Sequence, residues 1–94
     1  MTPESQIQNK IIKFLENEWY TCVKLIKTNL NGVPDLLVLK WDETCFFVEV
    51  KTETGRLSKL QSFRIKKFEE NNYKVFVPKG YDDFVKKYAN YIDK

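Results

Sequence analysis

The stretch Gly32-Val33-Pro34-Asp35-Leu36-Leu37-Val38-Leu39, followed after a short polar turn by Cys45-Phe46-Phe47-Val48-Glu49-Val50-Lys51, decides how this chain folds. It reads as two strands of one hairpin. Side chains alternate across a strand, so Phe46, Val48 and Val50 share one face while Phe47, Glu49 and Lys51 share the other. With a connecting loop of residues 42–44 or of residues 40–44, odd positions pair with odd positions. Asp35 then lies on the face of Glu49 and Lys51, opposite one or the other; a four-residue loop would turn it to the far side. Leu36-Leu37-Val38-Leu39 is apolar on both faces, as expected of a central strand covered by helices on each side.

Two carboxylates and an ammonium on an apolar sheet face are costly to desolvate unless something compensates them. A hard divalent cation would do so, because Mg²⁺ prefers carboxylate and carbonyl oxygens and keeps several waters. Asp35, Glu49 and the backbone carbonyl of Val50 are the ligand candidates, with Lys51 beside them to orient a water or to stabilise charge developing on a phosphate. An ordinary Glu49–Lys51 ion pair explains the same residues without chemistry.

Composition bounds the alternatives. At 94 residues the expectation is one domain, residues 1–94, with a modest core. A hydrophobic fraction of 43% with 15% aromatic residues indicates a folded globule. No run approaches a membrane span, and residues 2–10 are too polar for a signal peptide. Cys22 and Cys45 have no metal-like spacing and read as small buried hydrophobes in a reducing compartment, a single disulfide being the alternative. The chain has no histidine, which excludes Ser-His-Asp and Cys-His catalysis and histidine-ligated zinc. The net charge of +3 points weakly to polyanions. Its distribution says more: residues 51–67 carry Lys51, Arg56, Lys59, Arg64, Lys66 and Lys67 against one acid, Glu53. Such a run either grips phosphates or is a solvated helix surface.

Around the hairpin, Thr2 is placed to cap a first helix with Pro3 at its first position. Ile7, Ile11, Phe14 and Leu15 form its apolar stripe, and Glu4 lies on that stripe facing inward. Glu4 either complements the helix N-terminus or reaches toward the other acids. Residues 19–27 read as a strand with Val23 and Leu25 on one face. The loop of residues 28–32 follows, where Gly32 supplies either a positive φ or a close backbone approach to a phosphate. Pro34 keeps Val33 extended and delivers Asp35 to its strand. After the hairpin, Ser58 and Gln61 form a capping box at the start of a second helix, on which Gln61, Ile65 and Phe68 share a face. Residues 73–77 read as a last strand. Asp82 is placed to cap a final helix through Tyr91, with Phe84, Val85, Tyr88 and Ile92 as its apolar face. The order is α-β-β-β-α-β-α, an α+β fold with a central mixed sheet: an antiparallel meander plus one strand returning in parallel.

Gly32-Val33-Pro34-Asp35 followed by Glu49-Val50-Lys51 resembles the PD-(D/E)XK nuclease signature. With Pro3-Glu4-Ser5-Gln6-Ile7-Gln8 before it and Gly55-Arg56-Leu57-Ser58-Lys59-Leu60-Gln61 after it, the chain is similar to the virus-type replication-repair nuclease (VRR-NUC) family from about Pro3 to Val77. The resemblance implies a restriction-endonuclease-like core and a Mg²⁺- or Mn²⁺-dependent DNA phosphodiesterase without an organic cofactor. Asp35, Glu49 and Lys51 would be its catalytic core, Glu4 an accessory carboxylate and Gln61 an accessory site residue. Arg56, Lys59, Arg64, Lys27, Asn31 and Gly32 are the expected DNA contacts. Small stand-alone members resemble Holliday-junction resolvases, so the first expectation is a homodimer cutting four-way junctions by paired nicks. Restriction-type, flap or nicking cleavage is the alternative, and a non-catalytic DNA-binding module the alternative of a different class. Trp41, Phe46, Tyr81, Tyr88 and Tyr91 are the candidate dimer aromatics. A cytoplasmic location, with a phage origin compatible, follows from the same resemblance.

Overall fold

The computed structural model describes residues 2–93. Its elements run α1 (Pro3–Asn17), β1 (Thr21–Lys24), β2 (Leu36–Leu39), β3 (Cys45–Val48), α2 (Lys59–Glu70), β4 (Lys74–Phe76) and α3 (Tyr81–Ile92). The sheet order is β1-β2-β3-β4, with β1 and β2, and β2 and β3, antiparallel and β3 and β4 parallel. The α+β class and the element order expected from the sequence are therefore those of the structure.

The hairpin register decides everything downstream. Leu36 faces Val48 and Leu39 faces Cys45, so the connecting loop is residues 40–44. It closes with the Lys40 N–H donating to the Thr44 carbonyl at 3.0 Å and with Glu43 at a φ of 74°. Continued by one residue, this register sets Asp35 opposite Glu49, one of the two alternatives an odd loop allows.

On one face of the sheet, Leu36, Val38, Phe46, Val48 and Val50 are buried with Ile11 and Leu15 of α1 and Phe84 and Tyr88 of α3. The rings interlock edge to face: Phe46 lies 5.1 Å from Phe76 and 5.8 Å from Tyr91. The Tyr88 hydroxyl donates to that of Tyr20 at 3.0 Å, satisfying both where water is excluded. On the other face, Phe47 packs on Phe68 of α2 and on Tyr73, at 4.6 and 6.1 Å between ring centres.

Several expectations change. The first strand is Thr21–Lys24, shorter than residues 19–27, because Trp19 takes a φ of 70° leaving α1 and the chain bends away after Leu25. The last strand shortens from residues 73–77 to Lys74–Phe76. Asp82 does not cap α3: Gly80, at a φ of 98°, occupies the cap, and Asp83 instead accepts from the Lys79 N–H at 2.8 Å. Ile92, expected on the apolar face of α3, is exposed, whereas Tyr81 and Tyr91, expected among the dimer aromatics, pack against the core. Phe46 and Tyr88 are core residues, which removes them from any dimer surface, whereas Trp41 is 85% exposed. Cys22 and Cys45 are free thiols on strands separated by β2, and burial raises both above the ordinary thiol range. No described helix is long and apolar enough to cross a membrane.

Candidate active site

The site forms where the ladder between β2 and β3 runs out. Alternation turns the backbone of Glu49 and Lys51 toward the strand beyond: the Glu49 N–H donates to Phe76 and the Lys51 N–H to Pro78, at 2.8 and 3.0 Å. The Lys51 carbonyl accepts from Gly80 at 3.0 Å, so Lys51 is pinned on both sides of its α-carbon. Val50 faces the opposite way, toward β2. The continued register places Pro34 across from it, and proline has no N–H to give the Val50 carbonyl. The Val50 N–H, for its part, donates to the Asp35 carboxylate at 2.7 Å. Pro34 thus ends the ladder in a way that frees a carbonyl beside Asp35.

Glu49 is 2% exposed and Lys51 9%, and these are the buried charged residues among those described. Their side chains meet at 3.4 Å through Glu49 Oε2. The same oxygen accepts from Gln61 Nε2 at 3.3 Å. Gln61 also completes the capping box of α2: its Oε1 accepts from the Ser58 N–H at 2.9 Å, and its own N–H donates to Ser58 Oγ at 3.1 Å. The capping role and the site role of Gln61 coexist, one using its amide oxygen and the other its amide nitrogen.

Among the described residues no group donates to Glu49 Oε1 although it is fully buried, and the Asp35 carboxyl lies within hydrogen-bonding reach of Glu49. Burial first, and then the charge of Asp35, push the Glu49 carboxyl up to about 7, against the pull of Lys51. Burial likewise lifts Asp35 above the ordinary carboxylate range, opposed by the Val50 N–H. Glu4 adds to the negative field on both acids. It does so from an exposed position, not from the inward-facing stripe expected of it.

A buried carboxylate oxygen to which no described group donates, a second acid opposite and a carbonyl released from the ladder form an oxygen-donor set that suits a hard divalent cation. Among the described residues, no three acidic, cysteine or histidine side chains come together as a ligand cluster. Asp35, Glu49 and the Val50 carbonyl would be the protein's contribution, and water and phosphate oxygens would complete the shell, as is usual for Mg²⁺.

The expected DNA contacts divide. Arg56, Lys59 and Lys27 are exposed and uncommitted to ion pairs among the described residues. Arg64 is turned inward along its helix, its Nε donating to the Asn31 carbonyl at 3.0 Å, so it braces the loop of residues 28–32. Gly32 has the positive φ expected of it, at 80°, and the backbone it lets approach is that of α2: an added Cβ would lie 2.7 Å from Leu60 Cγ and 3.0 Å from the Leu60 carbonyl oxygen. Sequence reasoning missed Pro78 and Gly80 as the clamp on Lys51. Their Pro-x-Gly spacing reads only as the end of a strand.

A mixed sheet carrying an acid, an acid and a lysine at its open end, with helices on both faces, defines a restriction-endonuclease-like nuclease fold. The VRR-NUC domain model matches residues 2–82, and the chain belongs to that family of nucleases. Two solved structures described as a VRR-NUC domain and a VRR-NUC domain protein superpose on it. The first has a TM-score of 0.89 at 27% identity over 97% of this chain and 99% of the other. The second has a TM-score of 0.74 at 16% identity over 99% and 90%. No curated protein matches the chain.

Proposed function

We propose that this domain is a divalent-metal-dependent DNA endonuclease acting on branched DNA, with a four-way junction as its first candidate substrate. The observation that carries the reading is Glu49 Oε1, a buried carboxylate oxygen to which no described group donates, held ready across from Asp35. Left as it is, that arrangement only destabilises the fold. Bound there, Mg²⁺ or Mn²⁺ would supply Lewis acidity, activating water and neutralising charge on the scissile phosphate.

The chain's own residues do the positioning. The Val50 N–H fixes one oxygen of Asp35, and Gln61 and Lys51 fix one oxygen of Glu49, so the remaining oxygens face the site in defined directions. Lys51, pinned by Pro78 and Gly80, keeps its ammonium where it can orient the attacking water and stabilise charge on the pentavalent phosphate. Exposed Arg56 and Lys59, beside Gln61 at the start of α2, would hold the phosphates flanking the cut without reading bases. Hydrolysis is direct, with no covalent intermediate on the protein.

One such domain carries one site, so cutting both strands of a junction calls for a symmetric pair. Trp41 remains the exposed aromatic for that contact. The test is a cleavage panel of labelled four-way junction, flap and linear duplex, with and without Mg²⁺ or Mn²⁺, alongside Asp35→Ala and Lys51→Ala. Junction cutting that needs the metal and both side chains is expected. Equal cutting of all three substrates would remove the junction preference, and intact cutting by both variants would remove the site.

A further inference from the structure

Beyond the end of β4 the chain runs alongside the continuation of β3 for one more step. Lys79 pairs with Lys51 in an isolated parallel bridge, in the same register that sets Phe47 beside Val75. Paired residues share a face of the sheet, so the two lysine stems leave side by side from strands about 4.8 Å apart, on the face that carries Glu49. The pairing is held firmly. The Lys51 N–H and carbonyl are bonded to Pro78 and Gly80, and the Lys79 N–H donates to Asp83 Oδ2 at 2.8 Å, an oxygen that also holds the Lys87 ammonium at 2.8 Å. Gly80 closes the connector at a φ of 98° and a ψ of 169°, a conformation reserved for glycine, and nothing lies within 4 Å of where its Cβ would be. The backbone under Lys79 is therefore set, and its outer side is open.

Like charges placed opposite each other on neighbouring strands repel. Glu49 compensates Lys51, at 3.4 Å. Lys79 is exposed and has no ion pair among the described residues: Glu53 and Asp82 line the groove beside it without pairing with it, and Asp83 is engaged by Lys87. A divalent ion at Asp35 and Glu49 would also offset the negative charge that steadies Lys51. The two lysines then lack an anion at the edge of a site that handles a phosphodiester. We propose that Lys79 holds the DNA phosphate next to the scissile one, as a second cation beside Lys51. The inference rests on the endonuclease reading above and adds a contact at the sheet edge to those expected at the start of α2. Its role is binding: a neighbouring phosphate carries the same charge before and during the reaction, so the contact lowers KM without setting kcat. An ammonium on a phosphate reads no base, so the strand is positioned whatever its sequence.

The test compares Lys79→Met, Lys79→Arg and Lys74→Met in the full chain, Lys74 being an exposed lysine at the other end of β4. Binding to a labelled four-way junction is followed by fluorescence anisotropy in EDTA over a range of salt. Lys79→Met should weaken binding several-fold and reduce the slope of log K against log salt by about 0.9, the counterions of one phosphate. Lys79→Arg and Lys74→Met should both keep the wild-type slope. With Mg²⁺ added, Lys79→Met should raise KM for cleavage and leave kcat nearly unchanged. Relief of the like-charge pair should leave its melting temperature at or above that of wild type. A Lys79→Met protein with the wild-type slope and KM, or a Lys74→Met protein that loses as much, would overturn the contact while leaving the nuclease intact. A wild-type protein that neither binds nor cuts DNA would overturn the endonuclease reading itself.

Discussion

Glu49→Gln should stabilise the metal-free protein, and by an amount that depends on pH. The folded state holds the Glu49 proton more tightly than the unfolded chain does: the carboxyl is pushed from an ordinary 4.5 up to about 7. Between those values the native protein binds the extra proton, so the contribution of this group is whole below pH 4.5 and is lost as pH rises through 7. Above both, the loss is about 3 kcal/mol. Glutamine has the shape of the protonated acid and cannot ionise, and the pull of Lys51 is already included in the raised value. The variant should therefore match wild type near pH 4.5 and exceed it by about 3 kcal/mol at pH 8.5, or roughly 10 °C or more in Tm for a domain this size. Urea unfolding at the two pH values in EDTA measures it. A gap of the same size at both, or a wild type that gains stability with rising pH relative to the variant, would refute the account of Glu49 as a strained anion awaiting a cation.

The same strain predicts how metal acts: at pH 8.5, Mg²⁺ at a hundred times its Kd should stabilise wild type by about 2.7 kcal/mol and leave Glu49→Gln nearly unmoved, as read by thermal melts with and without EDTA. Gly32→Ala forces a side chain into positive φ and onto Leu60, so it should cost about 1–3 kcal/mol in urea unfolding. Ser58→Ala and Gln61→Ala both break the capping box at about 1 kcal/mol, but only the second also releases Glu49 Oε2. Cleavage assays should then show Ser58→Ala near wild type and Gln61→Ala clearly slower, and equal rates would reduce Gln61 to a cap.

What the sequence determined by itself was whatever depends on neighbours a few residues apart. The two-residue period of a strand fixed Glu49 and Lys51 on one face and Val48 and Val50 on the other. Thr2, Ser58 and Gln61 marked their helix starts through bonds spanning three residues. Proline and glycine chemistry placed Asp35 at a strand entrance and Gly32 in the left-handed region. Tertiary structure alone decided the rest, because those choices depend on chain segments far apart in sequence competing for the same space. The parity of the hairpin loop left Asp35 opposite either Glu49 or Lys51 until cross-strand packing selected residues 40–44. Arg64 looked free for DNA until the loop at Asn31 came within its reach, 33 residues away. Phe46 and Tyr88 looked like spare aromatics until the two helices closed over them. Periodicity records which face a side chain is on, and only the packed fold records what it meets there.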